Sequence, residues 1–336
     1  MASDGLTVAL TGPTGTFGFG LMPLLQADSR IGRIVGIARR SFDPAAHGWS
    51  KMEYRRGDVR DPEALGEAFA GADVVVHLAF MITGTASRQT IRAINVEGTL
   101  GAFAAAAAAK VSRFVYASSV AAYGFHPDNP IGMTEDWPVR PAARLFYAQE
   151  KAELERLLGE QAEEHHSVGL YLLRPPVVLG PHAVGAKDVL PAPVAAAARR
   201  MLGFAHQLRV PIPVPAPGLP MQFIHEDDVG QALFLCVLGE GPPGAYNIAG
   251  AGVLTAAEVL RELGLTPIPV PSGLATTVAR AAALIPPLPF VPPAAEWVEA
   301  ASHPAIMDTS KAIRELGWQP RYSALEALRD TLPRRG

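Results

Sequence analysis

An α/β fold built on a doubly wound parallel sheet is what this 336-residue sequence predicts. Three observations carry that expectation. Short apolar runs alternate with helical stretches through the first half of the chain. A glycine-rich turn joins the first run to the first helix. After Gly180 proline becomes dense, which predicts a smaller, partly irregular C-terminal domain.

The strands follow in order. Leu6–Leu10 is the first apolar run, and Arg33–Ala38, Met52–Arg55, Asp73–Leu78, Arg113–Ala117 and Val168–Leu173 follow it. Short continuous apolar runs of this kind suit strands buried on both faces. Helices are expected in most of the gaps. Leu21, Leu24 and Leu25 lie at helical spacing after the glycine turn, and Arg144 to Gln161 also reads as a helix. Ala102–Ala109 is the one low-complexity segment; its alanines suit a tightly packed helix and carry no chemistry. Two later strands, near Gln222–His225 and Ala245–Ile248, are expected to return to the main sheet. The run Pro211-Ile212-Pro213-Val214-Pro215-Ala216-Pro217 reads as a stiff loop. A last helix over Asp308 to Leu316 is expected to pack on the small domain.

Bulk properties exclude several classes. A net charge of −3 and a pI near 6.3 give no electrostatic case for nucleic acid or an anionic membrane. The single Cys236 excludes an intrachain disulfide framework, fits a reducing cytoplasmic setting, and sits in an apolar helical run that suggests core. The first residues lack a basic and apolar leader, so no secretory signal is expected. The best candidate for a membrane span, Leu274 to Val291, is interrupted by Arg280, Pro286, Pro287 and Pro289, so none is expected.

Two motifs carry chemistry. Thr11-Gly12-Pro13-Thr14-Gly15-Thr16-Phe17-Gly18 lies between the first strand and the first helix. Glycine allows a tight turn there and lets backbone N–H groups approach phosphates at the helix N-terminus, which is how a dinucleotide pyrophosphate is held. In Tyr147-Ala-Gln-Glu-Lys151 a phenol and an ammonium are four apart and share a helix face. A nearby cation is expected to lower the phenol pKa, fitting it to exchange a proton with an alcohol or carbonyl oxygen. Other ionisable groups read as structural. His77 and His225 sit at strand ends, Glu226, Asp227 and Asp228 suit the first turn of a helix, and His165-His166 suits solvent. No His, Cys and Asp set has metal-ligand spacing.

Taken in order, these residues resemble the extended short-chain dehydrogenase/reductase superfamily, of the epimerase/dehydratase-like type, over nearly the whole chain. The further matches are Gly57-Asp58-Val59-Arg60-Asp61, His77-Leu78-Ala79, Asn95-Val96-Glu97-Gly98-Thr99 and Ser118-Ser119-Val120-Ala121-Ala122-Tyr123-Gly124. Beyond them come Leu173-Arg174-Pro175-Pro176, Phe223-Ile224-His225-Glu226-Asp227-Asp228-Val229 and Leu316-Gly317-Trp318-Gln319-Pro320. The resemblance implies a Rossmann-type NAD(P)-binding domain over residues 1–174, with returns near 222–248. Residues 175–336 would then be mainly substrate-binding. It implies that Tyr147 exchanges the proton, that Lys151 lowers its pKa and holds the nicotinamide ribose, and that Ser119, not Ser118, is the catalytic hydroxyl. The cofactor would meet Gly12, Thr14, Gly15, Thr16, Phe17, Gly18, Asp58, Val59, Leu78, Ala79, Asn95, Arg174, Pro175 and Val177. Phe80, Met81, Ser119, Pro176 and Met221 would face substrate. Helices holding Ala102–Ala109 and Tyr147–Leu158 would form a homodimer.

Cofactor and substrate classes follow from departures. About 20 residues past the glycine loop an acid normally takes the ribose 2′-hydroxyl. That count falls at Ala38, followed by Arg39 and Arg40, so NADP(H) is favoured, and Asp43 nearby leaves NAD(H) possible. Sugar-nucleotide members carry Asn where this chain has Val177 and Arg where it has Met221. The candidate lining, Phe80-Met81-Ile82-Thr83 and Pro175-Pro176-Val177-Val178, is also apolar. An apolar carbonyl or alcohol substrate is therefore expected, although Arg88, Arg92 or Arg209 could serve an anionic group. The leading reading is an NADP(H)-dependent oxidoreductase. Its alternatives are a redox-neutral NAD-dependent epimerase or dehydratase of a sugar nucleotide and a non-catalytic nucleotide sensor.

Overall fold

The computed structural model describes residues 5–82, 86–183, 213–270 and 303–332. Seven parallel strands form the main sheet. They are β1 (Leu6–Thr11), β2 (Ile31–Ala38), β3 (Met52–Arg56), β4 (Val74–His77), β5 (Arg113–Ala117), β6 (Gly169–Arg174) and a late strand, Gly244–Asn247. From one edge the order is Gly244–Asn247, β6, β5, β4, β1, β2, β3. The chain leaves β1 first toward β2 and later toward β4, so the strand order reverses beside β1. In sheets of this kind ligands lie at that switch, beyond the carboxyl ends of the strands. Thr11, His77 and Tyr116 lie in register across the β1, β4 and β5 edge.

Helices cover both faces. On one side α1 (Thr16–Ala27) packs against a long helix over Glu226–Leu238, with Leu21, Met22, Leu25, Val229 and Leu233 buried against Val8, Leu10 and Val76. The two helices touch backbone to backbone: a Cβ on Gly230 would lie 2.1 Å from the Gly20 carbonyl oxygen. On the other side lie α2 (Pro62–Phe69), α4 (Gly98–Ala108) and α5 (Phe146–Glu164), preceded by the short α3 (Arg88–Arg92). The alanine-rich α4 buries Ala102, Phe103 and Ala106 against Phe114, Leu154 and Leu158. Small side chains there let α4 lie close to the sheet. Cys236 is fully buried in the first of these cores, and burial pushes its thiol up.

The smaller region is made of strand pairs. β7 (Val177–Leu179) pairs with β10 (Phe223–His225), β8 (Pro213–Pro217) with β13 (Thr266–Val270), and β9 (Pro220–Met221) with β12 (Leu254–Thr255). Gly244–Asn247 is then β11, Glu226–Leu238 is α6, Ala256–Glu262 is α7 and Ala324–Thr331 is α8.

Three expectations are corrected here. Of the two strands expected back in the main sheet, β11 joins it, whereas Phe223–His225 pairs with β7 alone. Residues 213–217, expected as loop, form a strand. Its prolines alternate, so only every second backbone N–H is missing, which a two-stranded edge tolerates. Asp308 to Leu316 does contain helical turns, but Ala312, Leu316 and Trp318 belong to the large core beside α6. The last helix is α8, started by a capping box of Ser323 and Glu326. Segment 274–291 and Arg209 lie outside the described residues.

Candidate active site

The glycine turn after β1 is built for close approach. Gly12 has φ +67°, and a Cβ there would meet the Ala79 nitrogen at 2.9 Å. At Gly18 a Cβ would lie 2.0 Å from the Pro13 carbonyl oxygen. Gly15 differs. Its φ of −92° and ψ of 174° suit any residue, and the nearest atom to an added Cβ is the Gly12 oxygen at 3.6 Å. Neither packing nor conformation requires glycine there, so the space above it is open to a ligand. Gly15 is also the N-cap of α1 and offers no side chain to the helix. The N–H groups of Thr16, Phe17 and Gly18 lack intrahelical partners as a consequence of helix geometry. An open cradle beneath the positive end of a helix fits a dinucleotide pyrophosphate. Thr11 braces the cradle, because its Oγ1 accepts the N–H of Leu78 and of Ala79, each at 3.2 Å. Thr16 Oγ1 donates to the His182 carbonyl at 2.9 Å, and the His182 ring stacks on Phe19 at 4.3 Å.

At the far end of the cradle, Arg39 and Arg40 are exposed just past β2. Asp58 accepts both Nε and Nη2 of Arg60, at 3.0 and 2.7 Å, and the Arg60 guanidinium holds its carboxyl below the usual range. Val59, the next residue, is buried in the core on the α4 side of the sheet. Asp43 is turned to the N–H of Ala45 at 3.0 Å, where it caps a short turn.

The hydroxyl, phenol and ammonium meet at the start of α5. Ser119 is buried at the head of a helical turn over Val120–Tyr123, accepts the Ala121 N–H at 3.2 Å, and is hydrogen-bonded to the Tyr147 phenol. Ser118 points elsewhere: its Oγ donates to Glu155 at 2.5 Å. Lys151 is buried, and its Nζ donates to Tyr116 Oη at 3.0 Å and to the Ala117 carbonyl at 2.7 Å. The Phe80 ring lies over the same ammonium at 3.6 Å and meets Tyr147 edge-on at 5.7 Å. Burial pulls the Lys151 pKa down to about 7, against the pull of Glu155 and Glu150 in the other direction.

One electrostatic expectation is corrected. Burial raises the Tyr147 pKa, and the opposing influence is the Ser119 hydrogen bond rather than Lys151. The physical reason is direction. The lysine ammonium faces Tyr116, Ala117 and Phe80, and it stands 5.8 Å from the Tyr147 ring centre. A shared helix face put the two side chains near each other but did not aim one at the other.

Two other expected cofactor contacts are placed differently. Arg174 is buried with its Nε and Nη2 on Glu155, the shortest contact being 2.6 Å, and its Nη1 on the Tyr123 phenol at 2.6 Å. That guanidinium ties β6 to α5 and is not available to a ligand. Asn95 is also fully buried. Its Oδ1 accepts the Met81 N–H at 2.7 Å, and its Nδ2 donates to the Met81 carbonyl at 3.0 Å and to Glu150 at 2.7 Å. Asn95 therefore positions the Phe80–Met81 segment. The motifs by which both residues resemble the superfamily do not reveal these buried partners.

Sequence reasoning missed Tyr116, which holds Lys151, and Glu150, a buried carboxylate raised by desolvation. Tyr116 is far from Lys151 in the chain and carried no local signal. The structural reading of the histidines holds. His77 bridges Thr11 and Thr99 at 3.0 Å each, and burial keeps it neutral with a pKa of about 3. His225 is the N-cap of α6, and Asp228 inside that helix accepts the N–H of Arg321 and Tyr322. His165 and His166 are exposed. Among the described residues no set of three or more His, Cys, Asp or Glu is placed to hold a metal, and no helix is long and apolar enough to cross a membrane.

Of the expected substrate residues, Phe80 and Met81 lie beside Lys151 and Asn95 as above. Pro175 and Pro176 are buried after β6, and the Pro175 carbonyl accepts the Val120 N–H next to Ser119 at 2.9 Å. Val177 is 56% exposed. Met221 packs with Phe223, Leu254 and Leu328. Arg92 is taken by Glu153 at 2.6 Å.

Comparison with known proteins agrees with this architecture. The protein y4nG of Sinorhizobium fredii is 27% identical over 338 residues, covering 97% of this chain and 77% of its own. Sterol demethylase protein B of Methylococcus capsulatus is 31% identical over 220 residues, covering 65% of this chain and 63% of its own. A UDP-glucose 4-epimerase structure from Thermotoga maritima superposes with a TM-score of 0.71 at 20% identity, over 97% of both chains. At that identity the likeness shows the fold. The NAD dependent epimerase/dehydratase family matches residues 8–249, most of the chain. The protein therefore belongs to that family, within the extended short-chain dehydrogenases/reductases.

Proposed function

We propose that this protein is an NADP(H)-dependent oxidoreductase that interconverts a carbonyl and a hydroxyl on a small, largely apolar substrate. The observation that carries the reading is the Ser119–Tyr147 hydrogen bond beside a buried Lys151, with the Phe80 ring over the ammonium and edge-on to the phenol. Gly12, Gly15, Thr16, Phe17 and Gly18 would hold the pyrophosphate, and Arg39 and Arg40 the 2′-phosphate. The nicotinamide, when bound, supplies or accepts the hydride. In reduction Tyr147 Oη gives its proton to the substrate oxygen while Ser119 Oγ donates a hydrogen bond to that oxygen. Pairing the two transfers keeps charge from building up in a dry pocket. Burial keeps Tyr147 protonated until the transfer, as the reductive direction requires. Lys151 gives two of its three N–H donors to Tyr116 and Ala117, and the third would serve the nicotinamide ribose.

Apolar side chains support the substrate class. The Phe80 ring lies against Tyr147 and Lys151, Met81 follows it in the chain, Pro176 is buried after β6, and the relative from Methylococcus capsulatus carries a sterol in its name. The second reading, a redox-neutral NAD-dependent epimerase or dehydratase, draws on neighbours such as the Thermotoga maritima enzyme, solved with UDP-glucose. Titration of nucleotide-stripped protein with NADPH and NADH, followed by a panel of apolar ketones and aldehydes, separates the two. Tighter NADPH binding and net NADPH oxidation are expected. NADH preference, or a nucleotide that leaves only on unfolding, would favour the second reading.

A further inference from the structure

The turn after β2 is held from below by the edge strand β3. Tyr54 donates its phenolic hydrogen to the Arg40 carbonyl, and Arg56 donates Nε to the Arg39 carbonyl at 3.1 Å. Tyr54 and Arg56 are two apart on a strand, so they share one face. Arg56 stands directly opposite Ala38 in the β2–β3 register. Its side chain therefore reaches past the carboxyl end of β2, the place where an adenosine ribose lies in a sheet of this type.

Charge pairing at this corner is uneven. Arg33 and Arg55 share Glu53, and Arg60 holds Asp58. Arg39, Arg40 and Arg56 have no carboxylate within ion-pair distance among the described residues. Of the two acids at this corner, Asp58 is already engaged by Arg60, and Asp43 is turned to Ala45. Arg56 is exposed, and its single hydrogen bond uses Nε, which leaves Nη1 and Nη2 for a second partner. Three exposed guanidinium groups on adjoining strand ends, outside any ion pair among the described residues, make a positive corner that suits a dianion.

We propose that Arg56 is a third phosphate-binding residue, which grips the 2′-phosphate of NADP(H) from β3 while fixing the Arg39–Arg40 turn through the Arg39 carbonyl. The inference rests on the cofactor reading above and adds a residue outside the usual position after β2. It also makes the corner selective through geometry as well as charge. An arginine held by Nε presents a planar pair of N–H donors in a fixed direction, which a lysine cannot reproduce.

The test compares wild type, Arg56→Ala, Arg56→Lys and, as a control, Arg55→Ala, whose side chain faces away toward Glu53 and the Glu67 carbonyl. Dissociation constants are measured for NADPH, NADH and adenosine 2′,5′-bisphosphate, with circular dichroism to confirm folding. Loss of one charge-assisted contact predicts about 10- to 100-fold weaker NADPH and bisphosphate binding in Arg56→Ala, with NADH unchanged. Arg56→Lys should recover only part of the loss, and Arg55→Ala should match wild type. If wild type prefers NADPH and Arg56→Ala keeps that preference, Arg56 has no such role and the cofactor reading stands. If Arg56→Ala weakens NADPH and NADH equally, the residue is structural only. Wild-type preference for NADH would overturn both.

Discussion

Replacing Gly15 with alanine separates ligand space from protein packing. The added methyl would have no protein atom nearer than 3.6 Å, and the backbone angles of −92° and 174° are ordinary for alanine. Two small effects act on stability. Alanine restricts the unfolded chain, which stabilises by about 0.4–1 kcal/mol. It is also a poorer N-cap than glycine, which costs a similar amount, on the order of 0.5–1 kcal/mol. They offset, so the unfolding free energy should shift by less than about 1 kcal/mol. Nucleotide affinity should respond differently, because the methyl projects into the cradle over the α1 N-terminus. Pushing a phosphate off its backbone donors is expected to weaken binding at least tenfold, about 1.4 kcal/mol. Gly18→Ala provides the contrast. Its Cβ would lie 2.0 Å from the Pro13 oxygen, so the turn itself must move and destabilisation of about 1–3 kcal/mol is expected. Urea denaturation and NADPH fluorescence titration on both variants read the two quantities. A Gly15→Ala protein that binds dinucleotide as tightly as wild type would refute the placement of the pyrophosphate.

Other expectations follow from the buried charges. Lys151 has a pKa near 7 in the folded chain against 10.5 for the free side chain, so the unfolded state holds that proton more tightly. Burying the ammonium therefore costs stability in full below pH 7, and the cost fades as pH rises from 7 to 10.5. Lys151→Met should gain on wild type by on the order of a few kcal/mol more at pH 6 than at pH 10, read by denaturant unfolding; a pH-independent difference would contradict the burial argument. Glu155→Gln leaves the Arg174 guanidinium buried without its carboxylate and should lose about 3–5 kcal/mol in the same assay. A loss below 1 kcal/mol would mean the pair is far better solvated than its position implies.

What the sequence made legible was local. Apolar runs placed β1, β2, β4, β5 and β6 within a residue or two, because strands buried on both faces need such runs, and the edge strand β3, Met-Glu-Tyr-Arg-Arg, was placed within one. The glycine turn was legible because contacts with Ala79 and Pro13 demand glycine at Gly12 and Gly18, which few other residues survive. Ser119 could be told from Ser118 by position, and the structure brings Ser119, not Ser118, to Tyr147. Long-range side-chain partners were not legible. Nothing near Lys151 in the chain announces Tyr116, and nothing near Arg174 announces Glu155, so the direction of the ammonium and the commitment of the guanidinium were missed. The proline-rich strand β8 was hidden for another reason. Its partner β13 also carries two prolines, Pro267 and Pro269, and only the pairing of the two makes either a strand.

The most direct test of the central claim is a single-turnover measurement with NADPH-loaded protein and an apolar ketone, comparing wild type with Tyr147→Phe. The phenol is expected to contribute about 10²- to 10⁴-fold as a proton donor. Wild type should oxidise NADPH with stoichiometric alcohol formation, and Tyr147→Phe should bind NADPH normally yet react at least about 100-fold more slowly. A Tyr147→Phe protein that reduces the ketone at a rate close to wild type would contradict the account.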